Sequence, residues 1–268
     1  MEGQSTADST PAAEPTYLEL MSYFGMSRHE GGLNATQEMV NLCRLDGGKH
    51  ILDVGCGAGK TACYLAKKHG CQVTAVDISP RMIEWAKETA VREGVADKIE
   101  FKVADAQALP FEDATFDGLI SESVLTFVPD RKQAIQEFIR VIKPGGHLGL
   151  NETCWVRTPV PNYVTSHIES LPTSAHIEPA EYWQNLLLDE GLDVTVSSIH
   201  TLNSSRQVRD RIRWFGLGGL LRNVYRVLRY AMSGKQNRDL VKKVIRTSRG
   251  MARDVFDYYG YGVYIGRT

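Results

Sequence analysis

The sequence predicts an α/β fold, doubly wound around a mainly parallel sheet of seven strands, and three observations carry that expectation. Short apolar runs rich in β-branched residues, among them 50–54, 71–77 and 99–103, alternate with stretches of helical periodicity. That alternation is the pattern of strand–helix–strand units. The first run stops at Gly55, Gly57 and Gly59, a tight turn that leaves bare backbone at the carboxyl end of a strand. The second run ends in a carboxylate, Asp77.

Residues 1–15 are rich in Ser, Thr, Ala, Glu and Pro, the composition of a disordered tail. Residues 16–48 are expected to form an N-terminal helical lid. Leu18, Leu20, Met21 and Phe24 suggest a short helix over 17–28, and a second helix follows His29-Glu-Gly-Gly-Leu-Asn-Ala-Thr36 through Leu42. After the first strand, Ala62, Leu65 and Ala66 recur at helical spacing over 61–68. Asp77 then closes the second strand; an acid there can accept hydrogen bonds from both hydroxyls of a ribose. Ser79 as N-cap and Pro80 at the first position open a helix that Gly94 ends.

A third strand over 99–103 leads into Ala104-Asp105-Ala106, and a fourth over 116–121 leads into Ser121-Glu-Ser-Val-Leu-Thr-Phe-Val-Pro-Asp130. A helix over 132–142, the turn Lys143-Pro-Gly-Gly146 and a fifth strand over 147–151 come next. A helix over 181–190, a strand over 192–200 and a last strand over 258–265 complete the sheet. The core thus covers 49–204. A helical insertion, 205–255, interrupts the sheet before its last strand in 256–268.

Charge is unevenly distributed. Residues 205–254 hold fourteen Lys/Arg and three Asp/Glu, a local +11, and the rest of the chain holds 17 and 29, a net −12. Within the insertion Leu221, Val224, Leu228 and Ala231 make one helical stripe, and Arg222, Arg226 and Arg229 another. Gly216, Gly218 and Gly219 mark a break between helices. A basic amphipathic helix fits an anionic membrane surface, which would make the protein peripheral to a membrane. It also fits an apolar stripe packed on the domain with its arginines in water.

Without a recognised RNA- or DNA-binding module, no nucleic-acid partner is expected. No apolar run reaches about 18 residues, so no transmembrane helix is expected. The start MEGQSTADST lacks the basic and apolar parts of a secretory signal. Five cysteines without a C-x-x-C pair suit a reducing, cytoplasmic compartment. Cys56, inside the glycine turn, reads as a small packing residue. No His/Cys/Asp cluster has the spacing of metal ligands.

The series Asp53-x-Gly55-x-Gly57-x-Gly59, Asp77, Ala104-Asp105-Ala106 with Leu109-Pro-Phe111, and Lys143-Pro-Gly-Gly146 resembles the class I S-adenosylmethionine (SAM)-dependent methyltransferases. A dinucleotide fingerprint would place its third glycine one residue later. The resemblance covers roughly 33–155, returns at the C-terminus, and is similar in detail to the ubiquinone/menaquinone C-methyltransferase-like small-molecule group. It implies a Rossmann-like fold and SAM as cofactor. The cofactor would be held by Asp53, Gly55, Gly57, Gly59, Asp77, Ile78, Asp105, Ala106 and Glu122, with Asp105 meeting the adenine amino group.

The implied activity is methyl transfer to a small acceptor, with a lipophilic quinone-, lipid- or terpenoid-like molecule ahead of a soluble amine methylated on nitrogen. The alternative of another class is a non-methylating nucleotide-binding or NAD-dependent protein on the same fold. Related enzymes often carry a histidine where Thr126 or Phe127 stands here, and neither residue can serve as a base. Glu122 and Glu152 remain; each could deprotonate a hydroxyl, hold a cationic amine, or simply cap backbone. His29 and Tyr23 could reach in from the lid, and the segment from His29 to Thr36 looks like the stretch preceding the core in some small-molecule methyltransferases. The expected catalytic residues are therefore Glu122, His29 and Tyr23.

Overall fold

A computed structural model describes residues 21, 22, 24, 29–169, 175–202, 204–249 and 253–268. The expected tail, most of the expected short helix over 17–28, and Tyr23 lie outside the described residues. The first described helix is α1 (Gly32–Leu42). Five parallel strands follow: β1 (His50–Val54), β2 (Gln72–Asp77), β3 (Ile99–Val103), β4 (Phe116–Glu122) and β5 (Ile142–Trp155). Between them lie α2 (Lys60–Tyr64), continued as a π turn over Leu65–His69, α3 (Pro80–Glu93) and α4 (Arg131–Val141). The second half adds α5 (Asn162–Glu169), β6 (Glu178–Pro179), α6 (Ala180–Asp189), β7 (Asp193–Thr201), α7 (Ser204–Met232), α8 (Lys235–Arg249) and β8 (Tyr259–Arg267).

The sheet order is β3-β2-β1-β4-β5-β8-β7, with β6 beside β5. The seven expected strands are all present; the eighth, β6, is a two-residue strand too short to leave a periodic signal. β8 returns antiparallel between β5 and β7. The chain order reverses between β1 and β4, so a crevice opens outside their carboxyl ends.

Alternate residues of β1 serve two cores. Ile51 packs with α1, α2 and α3 residues on one face, while Leu52 and Val54 pack with α4 and α6 residues on the other. Both faces being covered, the strand is apolar nearly throughout. In α3 the Ser79 side chain accepts from Met82 N at 3.3 Å, and Gly94 closes the helix at φ 71°, as its sequence predicts.

Three expectations are sharpened. The segment expected as an N-terminal lid carries α1, whose Ala35, Thr36, Met39 and Val40 are buried in the core. Gly149 on β5 permits the close approach, since a Cβ there would lie 3.3 Å from Met39 Sδ and 3.0 Å from Cys43 Sγ. Burying Met39 and Val40 stabilises that seat by roughly 2 kcal/mol apiece. β5 is far longer than 147–151, because β8 pairs with it from His147 to Trp155 and the chain end laces the Lys-Pro-Gly-Gly turn, Gly145 N donating to Thr268 O at 3.0 Å.

The insertion forms two helices, with a kink at Gly216 (φ 64°, ψ 165°) inside α7 where the glycines predict a break. Its stripes depart from the reading in which the apolar residues pack on the domain and the arginines face water. Leu221, Val224 and Leu228 stand exposed instead of packing on the domain. Arg226 turns inward, donating to Phe24 O at 2.8 Å with its guanidinium 3.8 Å from the Trp85 ring centroid. Trp85 Nε1 in turn donates to Ser22 O at 2.9 Å, and Phe24 stands edge-on to Tyr230 at 5.3 Å. Among the described residues no helix is long and apolar enough to cross a membrane.

Candidate functional site

The glycine turn bends from β1 over β2. Gly55 N and Cys56 N both donate to Val76 O, at 2.8 and 2.9 Å. Gly55 has φ 72°, and a Cβ there would lie 2.2 Å from Val124 Cγ2, so no side chain is tolerated. Gly59 (φ 76°) lets α3 close in, a Cβ there falling 2.8 Å from Ala86 Cβ. Gly57 N donates to Asp77 Oδ2 and Ser79 N to Asp77 Oδ1, each at 2.9 Å. Two amides therefore fix the Asp77 carboxylate while each oxygen keeps acceptor capacity. Burial raises its pKa and the amides offset part of the rise.

Ile78 is exposed next to Asp77. Asp105 follows β3 and is held by Gln107, whose backbone N donates to Oδ1 at 2.9 Å and whose side-chain amide reaches both oxygens at 3.1 and 3.2 Å. Ala106 beside it is buried. Cys56 is buried too, its thiol pushed well above the ordinary range chiefly by burial, which agrees with a packing role.

Asp53 is buried in β1, and its Oδ2 has no hydrogen-bond partner among the described residues. Burial, then the charge of Glu122, then that of Asp77 push its pKa well above the usual carboxylate range, while the Ala62 amide pulls it back. The three carboxylates thus form one acidic edge where β1, β2 and β4 end.

Glu122, the last residue of β4, is met by three side chains, Thr61, Thr36 and His29. Its Oε2 accepts from Thr61 Oγ1 at 2.7 Å, its Oε1 from Thr36 Oγ1 at 3.0 Å, and His29 Nδ1 lies 3.2 Å from Oε1. His29 Nε2 is 3.2 Å from Thr36 Oγ1, and Nδ1 is 3.0 Å from Asn151 Nδ2. Asn151 Nδ2 also donates to Glu30 O at 2.9 Å, which ties the start of the N-terminal segment to β5. His29 and Glu122 are both nearly closed to solvent, with side chains 5% exposed. With its proton on Nδ1 the ring can pair with the carboxylate, and Nε2 is then an acceptor. Ser123, the next residue, has φ 57° and donates its N–H to Asn151 O at 2.6 Å. A strained non-glycine residue at this rim is the kind of conformation that clusters at functional sites.

Glu152 has a different job. It lies wholly buried on β5, Oε1 accepting from Val124 N (2.9 Å) and Leu125 N (2.8 Å), and Oε2 from Thr126 N (3.3 Å) and Thr126 Oγ1 (2.8 Å). Burial lifts its pKa to about 6, partly offset by those donors. It holds the turn after β4, so it is removed from the set of bases. Arg131 braces the same turn, donating from Nε to Leu125 O at 3.0 Å and pairing with Glu178 at 2.8 Å.

The structure therefore gathers Asp53, Gly55, Gly57, Gly59, Asp77 and Glu122 with His29 at one crevice, with Asp105 and Ala106 on the loop after the adjoining β3. It adds Thr36, Thr61 and Asn151, which sequence reasoning did not single out. Thr36 closes the quoted His29–Thr36 segment, and Asn151 stands opposite Glu122 in the β4–β5 register. Thr61 had no such signal. Among the described residues no group of three His, Cys, Asp or Glu side chains is placed to hold a metal ion.

Comparison with known proteins bears on this geometry. Residues 52–150 match the family model described as a methyltransferase domain. The chain is 33% identical over 168 residues, 62% of its own length and 60% of the relative's, to methyltransferase GfsG of Streptomyces halstedii. It is 35% identical over 130 residues, 48% of each chain, to the 27-O-demethylrifamycin SV methyltransferase of Amycolatopsis mediterranei. The matches thus span about half to three-fifths of these curated relatives' lengths. A crystal structure of a SAM-dependent methyltransferase from Thiobacillus denitrificans in complex with S-adenosyl-L-homocysteine superposes with a TM-score of 0.70 at 18% identity. It covers 92% of this chain and 96% of that one, which shows a shared fold.

Proposed function

We propose, from the match of residues 52–150 to a methyltransferase domain and the SAM-type motifs at the crevice, that this protein transfers a methyl group from SAM to a hydroxyl of a small, lipophilic acceptor. The residues present fit the cofactor's chemistry. Asp77, fixed by two amides, suits a ribose diol; Asp105 suits an amino group; and the unpartnered, buried Asp53 Oδ2 suits a hydrogen-bond donor. Bound SAM supplies an electrophilic methyl group whose leaving group is neutral, so alignment and exclusion of water are the main demands on the protein.

One observation carries the choice of a hydroxyl: the buried pairing of His29 with Glu122 at the edge of the same crevice. With its Nδ1 proton facing Glu122, the ring can take the acceptor's proton directly on Nε2. Thr36 and Thr61 hold the carboxylate still while the imidazolium forms. The acceptor named for the Amycolatopsis relative, an O-demethylated compound, supports oxygen as the methylated atom. The exposed apolar stripe of α7 supports a lipophilic acceptor.

The buried Glu122 carboxylate also favours a second reading, in which it holds the ammonium of a soluble amine. His29→Ala separates the two. With a hydroxyl acceptor, kcat should fall by roughly a hundredfold or more, with SAM affinity unchanged. An undiminished kcat would remove His29 as the base. A raised KM for a cationic amine in Glu122→Gln, with kcat intact, would favour the second reading.

A further inference from the structure

We infer that the outer face of the insertion is a docking surface for an anionic lipid bilayer; this rests on the lipophilic-acceptor reading, because a bilayer is where such a substrate would be collected. On α7, residues 221, 224, 225, 228 and 232 fall within an arc of about 100° at helical pitch. All five side chains stand in solvent: Leu221 is 71% exposed, Val224 55%, Tyr225 64%, Leu228 56% and Met232 83%. A contiguous apolar stripe of that size on the surface marks an interaction site. Arg222 and Arg229 lie exposed along one edge of the stripe, whereas Arg226, one step farther round the helix, turns in to Trp85.

α8 adds exposed Lys235, Arg238, Lys242 and Arg246 around a half-exposed Ile245. Between 216 and 249 the chain has nine Lys/Arg and a single acid, Asp239. An apolar strip bordered by cations, with a tyrosine at its centre, is the composition of a helix that lies in a membrane interface. The charge of the whole molecule orients it: the remainder is net −12 and turns away from an anionic leaflet, while the insertion, at +11, turns toward it. A second copy is the poorer occupant. Symmetric pairing through this face would set Arg222 and Arg229 against the same cationic edge.

Each cation near an anionic leaflet is worth roughly fivefold in binding constant. Co-sedimentation of the full chain with phosphatidylcholine vesicles, with and without phosphatidylglycerol, tests the inference. Binding is expected only with phosphatidylglycerol and should weaken steeply as salt is raised. The double variant Arg222→Gln/Arg229→Gln should bind roughly 25-fold more weakly, and Leu228→Ser/Met232→Ser should also lose association. Calorimetry should show unchanged SAM affinity in every variant. If SAM binds but the unmodified protein ignores both vesicles, the docking surface is wrong and the methyltransferase reading stands; if SAM does not bind, it is the methyltransferase reading that fails. Binding that persists in both double variants overturns the surface assignment. A concentration-dependent dimer abolished by Leu228→Ser/Met232→Ser, without vesicle binding, gives the face to a second copy instead.

Discussion

The carboxyl edge of the sheet and the face of the insertion treat burial in opposite ways. At the edge, Asp53, Asn151 and Glu152 are buried within a largely apolar sheet and the Glu122 side chain is 5% exposed, at a cost that hydrogen-bond partners offset for most of their polar atoms. On α7, leucines, a valine and a methionine stand in water, and the side chain drawn inward between Trp85 and Phe24 is an arginine. Buried polar groups with fixed partners make a rigid, preorganised surface. Exposed apolar groups on a helix held by a few polar contacts make an adaptable one. The difference teaches that the two regions use burial differently, in keeping with the proposed division between chemistry at the edge and recognition at the insertion, and it can be broken from either side.

The largest effect should come from Glu152. Replacing it with Ala strands three backbone amides and the Thr126 hydroxyl, and should cost about 4 kcal/mol in chemical denaturation. Its pH signature is separable. Because the folded pKa is raised from the ordinary 4.5 to about 6, the native state binds this proton more tightly than the unfolded chain. The resulting stabilisation is fully present below pH 4.5 and is lost as pH rises through 6, a change of roughly 2 kcal/mol. Wild type minus Glu152→Gln, measured across that window, should show it. A flat difference would mean that the turn, not the carboxylate, carries the stability.

Next comes Asp77, at the same edge, proposed to add a ligand's hydroxyls to the two amides it already holds. Asp77→Ala removes a charged acceptor and should weaken SAM binding by about 2 kcal/mol, read by calorimetry. Unchanged affinity would detach the glycine turn from cofactor binding.

Much of this architecture is legible in the residues themselves. Gly55, Gly57 and Gly59, the Ser79–Pro80 helix start and the Gly216 break are local signals, and each acts within a few residues of its position. Glu122 and Glu152 look alike in sequence because their roles depend on register. Pairing Glu122 with Asn151 leaves Glu152 one residue farther along β5, beneath the Val124–Thr126 turn. The seating of α1 is hidden for the same reason: it depends on Gly149, more than a hundred residues away, having no side chain. Arg226 cannot be told from Arg222 and Arg229 by spacing, since only Trp85 and the Phe24 carbonyl distinguish it.

Arg226 accordingly supplies the third test. Arg226→Ala loses a charged hydrogen bond to Phe24 O and the stacking on Trp85, both partly open to solvent, and should cost about 1 kcal/mol. The local consequence is sharper than the global one. Trp85 fluorescence should shift red, and the segment ending at Phe24 should become more susceptible to proteolysis. Neither change would mean that the insertion is held by its other contacts.

The smallest effect is the most telling for the comparison. A leucine in the core costs 2–5 kcal/mol when truncated, because its burial is lost and a cavity remains. Leu228 is 56% exposed on the outer face of α7, so Leu228→Ser should change stability by less than about 0.5 kcal/mol, with an unchanged denaturant slope. Serine has a slightly lower helix propensity than leucine, which accounts for a few tenths of that in the destabilising direction. A loss of several kcal/mol would mean that the stripe is buried in solution, covered by this chain or by another copy. Repeating the measurement at two protein concentrations separates those cases, since cover by a second copy weakens on dilution and cover by the chain itself does not. A near-zero result at both concentrations leaves the stripe as apolar surface that folding does not use, so its selection would rest on what the protein touches.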